Sequence, residues 1–118
     1  MNADEREEAA KIWTEARAAA EQAAKAENDG LPPESKRGFD VGFAWITIRP
    51  ARGPLVSFLK RAGIGRAGGY GSGGYGIWYG DLHNEPTQSV DVHVAAVRAA
   101  TEVLVRHGID ASFSSRLD

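Results

Sequence analysis

The chain contains no cysteine, which excludes disulfides, iron–sulfur clusters, thiolate catalysis and cysteine-ligated zinc together and fits a reducing compartment. It lacks any apolar run approaching the ~18 residues of a membrane span, so no membrane association is expected. The opening Met1-Asn2-Ala3-Asp4-Glu5 is acidic where a secretory leader would be basic, and no apolar segment follows it. A cytoplasmic protein is expected. No G-x-S-x-G nucleophile turn and no Walker lysine occur. What remains, 118 residues of which 42% are hydrophobic and 25% charged, is an ordinary globular composition sized for one core.

A formal net charge of −2 conceals a basic band between acidic flanks. Residues 1–36 carry nine acids against five bases (−4), residues 37–66 six bases against Asp40 alone (+5), and residues 67–118 six acids against three bases (−3).

Alanine-rich residues 4–27 predict one long helix, with the small apolar stripe Ala9, Ile12/Trp13, Ala16, Ala19/Ala20 and Ala23 at i, i+3/i+4 spacing. Glu7 to Lys11 and Glu21 to Lys25 are i, i+4 pairs, and Asn28-Asp29-Gly30 with Pro32-Pro33 stops the helix. Such a stripe buries little area. The helix, 1–30, is expected to dock weakly on a single domain at 38–118 or to pair with another chain as a homo-oligomer, with Trp13 as its anchor.

Residues 40–49 read as a central strand, apolar on both faces: Phe43, Trp45 and Thr47 on one, Ala44, Ile46 and Ile48 on the other. Gly53-Pro54 opens a short helix through Leu55, Phe58, Leu59 and Ala62, ended by Gly63. A second strand is expected at 75–80. A helix follows at 90–107, its stripe Val90, Val94, Val97, Thr101 and Leu104 giving the strongest 3.6-residue period in the chain. A third strand at 109–114 completes an α-β-α-β-α-β order. The expected class is α+β, a three-stranded sheet packed against helices. Phe43, Trp45, Phe58 and Trp78 are assigned to the core.

Eight of the fourteen residues at 63–76 are glycine, and the stretch holds the repeat Gly68-Gly69-Tyr70-Gly71 and Gly73-Gly74-Tyr75-Gly76. Gly63-Ile64-Gly65-Arg66-Ala67-Gly68 matches G-x-G-x-x-G, but a helix precedes it where the dinucleotide fingerprint needs a strand. The stretch is too short and too weakly basic for a general RNA-binding tail. A candidate ligand site is nevertheless present. Glycine N–H groups of Gly68, Gly69, Gly73 and Gly74 with Lys60, Arg61 and Arg66 suit phosphate, and Tyr70, Tyr75 and Trp78 offer stacking surfaces for a base. The competing reading is a surface loop with solvated bases. A separate cluster, Asp81, His83 and Glu85 with Asp91 and His93, has the donor types of an N/O metal site. Asp91 is equally explained as a helix N-terminal acid, and nothing in the spacing brings the cluster together. No cofactor is expected.

Gly42-Phe43-Ala44-Trp45, the glycine/tyrosine stretch leading to Ile77-Trp78, Thr87-Gln88-Ser89 opening a helix, and Ser115-Arg116-Leu117-Asp118 resemble a set of small uncharacterised bacteriophage and prophage accessory proteins. They share a G-F-A-W strand, a T-Q-S helix start and a terminal S-R-L-D or S-R-M-D. The resemblance covers roughly 39–118. It carries over no functional residues and implies an accessory protein acting in the bacterial host cytoplasm. Such proteins commonly work stoichiometrically. A non-enzymatic binder, of counter-defence type, taking a phosphate-bearing ligand such as a nucleotide or nucleotide second messenger is therefore expected. The alternatives are a stoichiometric inhibitor of a host protein and a metal-dependent enzyme.

Overall fold

The computed structural model describes residues 1–31, 40–71 and 73–118. The Pro32-Pro33 stop, the first residues of the 38–118 domain and Ser72 lie outside them.

Helix α1 (Ala3–Gly30) starts at a reciprocal capping box, in which Asn2 Oδ1 accepts from the Glu5 N–H at 2.8 Å and Glu5 Oε1 from the Asn2 N–H at 3.2 Å. It buries Ala9, Trp13, Ala16, Ala20 and Ala24. Small side chains let two helix backbones approach closely, and α1 lies against helix α3 (Val90–Arg106), touching helix α2 (Pro54–Ala62) as well. The stripe is thus spent inside the molecule, and Trp13, 6% exposed, anchors the helix to its own domain. Glu15 fastens the crossing, receiving Arg106 at 3.2 Å and His107 at 3.0 Å. Glu7 to Lys11 is present at 3.6 Å, whereas Lys25 pairs with Asp29 rather than Glu21.

The sheet has four strands, not three: β1 (Gly42–Ile48), β2 (Arg66–Ala67), β3 (Tyr75–Trp78) and β4 (Ala111–Leu117), in the spatial order β2-β3-β1-β4 with every neighbour antiparallel. The additional strand, β2, holds two residues in a glycine-rich stretch, too few for a period. Its pairing partner β3 defines it. From β1 onward the connectivity is the split β-α-β arrangement, β-α-β-β-α-β. The strand expected at 75–80 ends at Trp78 and passes into a 3-10 turn, Tyr79–Asp81.

Helix α2 begins with Pro54 at its first turn and ends at Gly63 in the left-handed region, whose N–H returns to Leu59 and Lys60 carbonyls. α2 and α3 bury Leu55, Val56 and Leu59, and Val97 and Leu104, in one core with Ala44, Ile46, Ile48 and Ile77 of the sheet. Helix α3 packs on β1 and β4, and α1 lies against α3 and α2. Among the described residues no helix covers the other sheet face.

Candidate functional site

Residues directly opposite in an antiparallel pair share a face. The register pairs Trp45 with Trp78, Thr47 with Gly76, Gly76 with Arg66, Phe43 with Arg116, and Trp45 with Ser114. Ile46 with Ile77 and Ile48 with Tyr75 occupy the helix-packed face. The helix-free face therefore carries Arg116, Phe43, Trp45, Trp78 and Arg66, drawn from all four strands.

Tyr70 joins this face from the β2–β3 loop. Gly76 makes its seat: a Cβ there would strike the Tyr70 ring, so only glycine accommodates it. Gly69, held at φ +67° and packed against the Gly73 carbonyl, closes the loop that delivers the ring.

The rings form one continuous platform. Trp45 and Trp78 lie 6.1 Å apart and nearly parallel at 9°, Tyr70 is 4.9 Å and Phe43 5.4 Å from Trp78, and Tyr79 meets the Trp78 edge at 5.3 Å. Phe43, Trp45, Tyr70 and Trp78 are all half-buried. A guanidinium flanks each side: Arg66 over Tyr70 at 4.7 Å and Arg116 over Phe43 at 5.7 Å. The Arg66 Nε–H donates to the Gly69 carbonyl at 2.9 Å, fixing its position. Among the described residues neither arginine forms an ion pair. Burial, then the Asp81 carboxylate, pushes the Tyr70 hydroxyl above its ordinary range, partly offset by Arg66. The ring stays neutral. Trp45 Nε1 is buried without an acceptor among the described residues.

Of the residues expected to bind a ligand, Arg66, Gly69, Tyr70 and Trp78 come together here. Gly68, Gly73 and Gly74 shape the loop, all at positive φ. Tyr75 is a correction: at 1% exposure it is a core residue on the opposite face, its hydroxyl donating to the Ile64 carbonyl. Lys60 reaches the Tyr75 ring, 6.0 Å away, and so sits on the helix side, while Arg61 is exposed in the last turn of α2. Phe43, Trp45 and Trp78 are the converse correction. Expected in the core, they belong to the platform; Phe58 alone of that group packs against the core. Arg116 was missed, because only its pairing opposite Phe43 brings it to this face.

Within the acid and histidine cluster the two histidines bond each other, and His93 Nε2 is buried without a partner among the described residues. The Glu85 N–H donates to His83 Nδ1 at 3.1 Å, so His83 carries its proton on Nε2 and donates it to His93 Nδ1 at 2.8 Å. The Glu85 carboxylate accepts from Asn28 at 3.3 Å. Among the described residues no group of three or more His, Cys, Asp or Glu is placed to hold a metal ion. Burial holds both imidazoles below their ordinary pKa, His93 at about 4 with His83 adding to the effect.

Comparison of the chain with family models, with curated proteins and with solved structures finds no match.

Proposed function

We propose that this protein is a non-enzymatic binder whose open sheet face takes a phosphate-bearing, base-bearing ligand of the nucleotide class. One observation carries the reading: the unbroken strip Arg66, Tyr70, Trp78, Trp45, Phe43, Arg116 on a sheet face that none of the described helices covers. Flat aromatic surfaces stack on any base, each stacked base being worth about 1–3 kcal/mol. Guanidinium groups pair with phosphate oxygens bidentately.

Size narrows the ligand. Arg66 and Arg116 stand three strand spacings apart across the sheet and four residues apart along it, a diagonal of about 20 Å. A mononucleotide reaches one of them, whereas two or three stacked bases occupy such a sheet face. A dinucleotide, a cyclic oligonucleotide or a short single strand fits the strip, in line with an accessory protein that sequesters a nucleotide signal in a bacterial host cytoplasm.

Two of the three tryptophans lie on the platform, so ligand stacking quenches intrinsic fluorescence. Titration with dinucleotides, cyclic dinucleotides and trinucleotides is expected to quench at lower concentration than mononucleotides do. Trp78→Ala weakens binding about tenfold or more, and Arg66→Ala with Arg116→Ala together abolish the preference for the longer ligands. Absence of quenching by every member of the series removes the reading and shifts the search to a host protein target.

A further inference from the structure

Among the described residues no strand pairs with the outer edge of β4. The Arg49 N–H donates to the Asp110 carbonyl and the Asp118 N–H to the Val41 carbonyl, each at 3.0 Å, bracketing the β1–β4 ladder. Alternation along an antiparallel pair then turns the backbone groups of residues 112, 114 and 116 toward β1. Those of Ala111, Phe113, Ser115 and Leu117 point away from the sheet. The strand has seven residues without proline, lysine or a bulge, the usual protections of an edge.

Among the described residues, three of the four exposed large hydrophobics lie on β4 or on the neighbouring helix: Leu117 at 61%, Val105 at 53% and Phe113 at 36%. Along α3, between Ala19 of α1 and Phe113 of β4, runs a groove of about 670 Å³, floored by Ala99 and Val103 and rimmed by Arg98 and Glu102. Arg98 lies over the Phe113 ring at 5.7 Å. Among the described residues Arg98 and Glu102 form no ion pair.

We propose that β4 pairs antiparallel with β4 of a second copy of this chain about a two-fold axis at Ser114, joining two sheets into one of eight strands. That register is the one in which all four outward residues find partners. Phe113 faces the partner's Ser115, Ala111 faces the partner's Leu117, and the reciprocal pairs repeat across the axis. On the platform face the opposed residues are Ser112, Ser114 and Arg116, whose serines leave room for the two guanidinium groups. The same axis sets α3 antiparallel to its copy, so that Arg98 meets the partner's Glu102 and each Arg98 stays close to the Phe113 that flanks the axis. The helix surface is self-complementary only in this antiparallel sense, which favours a second copy over an unrelated extended peptide. The two aromatic platforms then lie on one continuous face. Of the residues that form the assembly only Arg116 also belongs to the nucleotide reading, and the variants that test the assembly, at Ser115, Arg98 and Glu102, leave that strip untouched.

Light scattering over a concentration series tests it. The full chain is expected to show twice its 12.6 kDa mass at micromolar concentration. Ser115→Pro removes an outward N–H without touching the β1 ladder, and it raises the dimer dissociation constant roughly tenfold or more. Arg98→Glu sets like charges against each other and weakens the dimer comparably, whereas Arg98→Glu combined with Glu102→Arg restores it. This helix-surface pair keeps the test decisive if the proline variant fails to fold. A chain that is monomeric throughout overturns the proposal. So does a dimer indifferent to both Ser115→Pro and Arg98→Glu, or a charge swap that fails to rescue. A monomer that gains mass only on adding a strand-forming peptide would assign the edge to another protein instead.

Discussion

At the residue scale, the two tyrosines of one repeat go opposite ways. Tyr70 and Tyr75 sit in the same Gly-Gly-Tyr-Gly context, yet one lies on the open face and the other in the core. Tyr75 occupies a ladder position opposite Ile48, and the pleat sends it inward. Tyr70 precedes the strand and is placed by the left-handed glycines around it and the vacant Cβ position of Gly76. The same scale governs the buried histidines. His93, 1% exposed, has a folded pKa of about 4 against about 6.5 in the unfolded chain. A depressed folded pKa means that the unfolded chain binds the proton first. The contribution is fully present above pH 6.5 and lost as pH falls toward 4. Stability should drop by on the order of 2 kcal/mol over that window, and His93→Gln, which keeps an acceptor for His83, should flatten the slope. Urea unfolding at stepped pH reads this directly; identical slopes for both proteins would refute the assignment.

At the scale of elements, α1 corrects an inference from composition. A stripe of alanines buries little area per residue, which argues for weak docking. Yet the smallness that limits area also permits close contact, and Ala16, Ala20 and Ala24 are fully buried. Ala16→Leu should force the helices apart, costing about 1–3 kcal/mol and lowering the melting midpoint by roughly 5–10 °C. Ala18→Leu, on the exposed side, should leave it unchanged. Equal midpoints for the two variants would mean that the stripe is not an interior contact. The strand β2 makes the complementary point: an element can exist through its partner alone.

For the whole molecule, the packing separates charge. The acidic helix α1 lies against α3 on one side of the sheet, and the arginine-flanked platform lies on the other. A chain with net charge −2 and an isoelectric point near 5.9 can still present a local anion-binding face. Two arginines meeting two phosphates predict a modest salt dependence, with log K falling against log salt at a slope of about 1.4 for a single-stranded ligand. Titration at several ionic strengths measures it. A slope near zero would remove phosphate pairing from the site and leave stacking alone.

Residue order by itself determined the helices, the central strand and the aromatic third strand. Each carries a period or a stop signal that acts locally: the 4, 3, 4, 3 spacing of α3, proline at the start of α2, glycine at its end. It also marked Arg66, Tyr70 and Trp78 as a candidate binding stretch, because glycine, tyrosine and arginine concentrate there. Two-sided apolarity in β1 was legible too, but not its meaning. An aromatic strand face reads the same whether helices cover it or water does. Only the tertiary structure decided that the described helices stack on one side, which converts Phe43, Trp45 and Trp78 from core to surface platform. Only the register between distant strands brought Arg116 to the opposite end of that platform from Arg66. Those decisions rest on pairings between residues dozens of positions apart, and no local pattern encodes them.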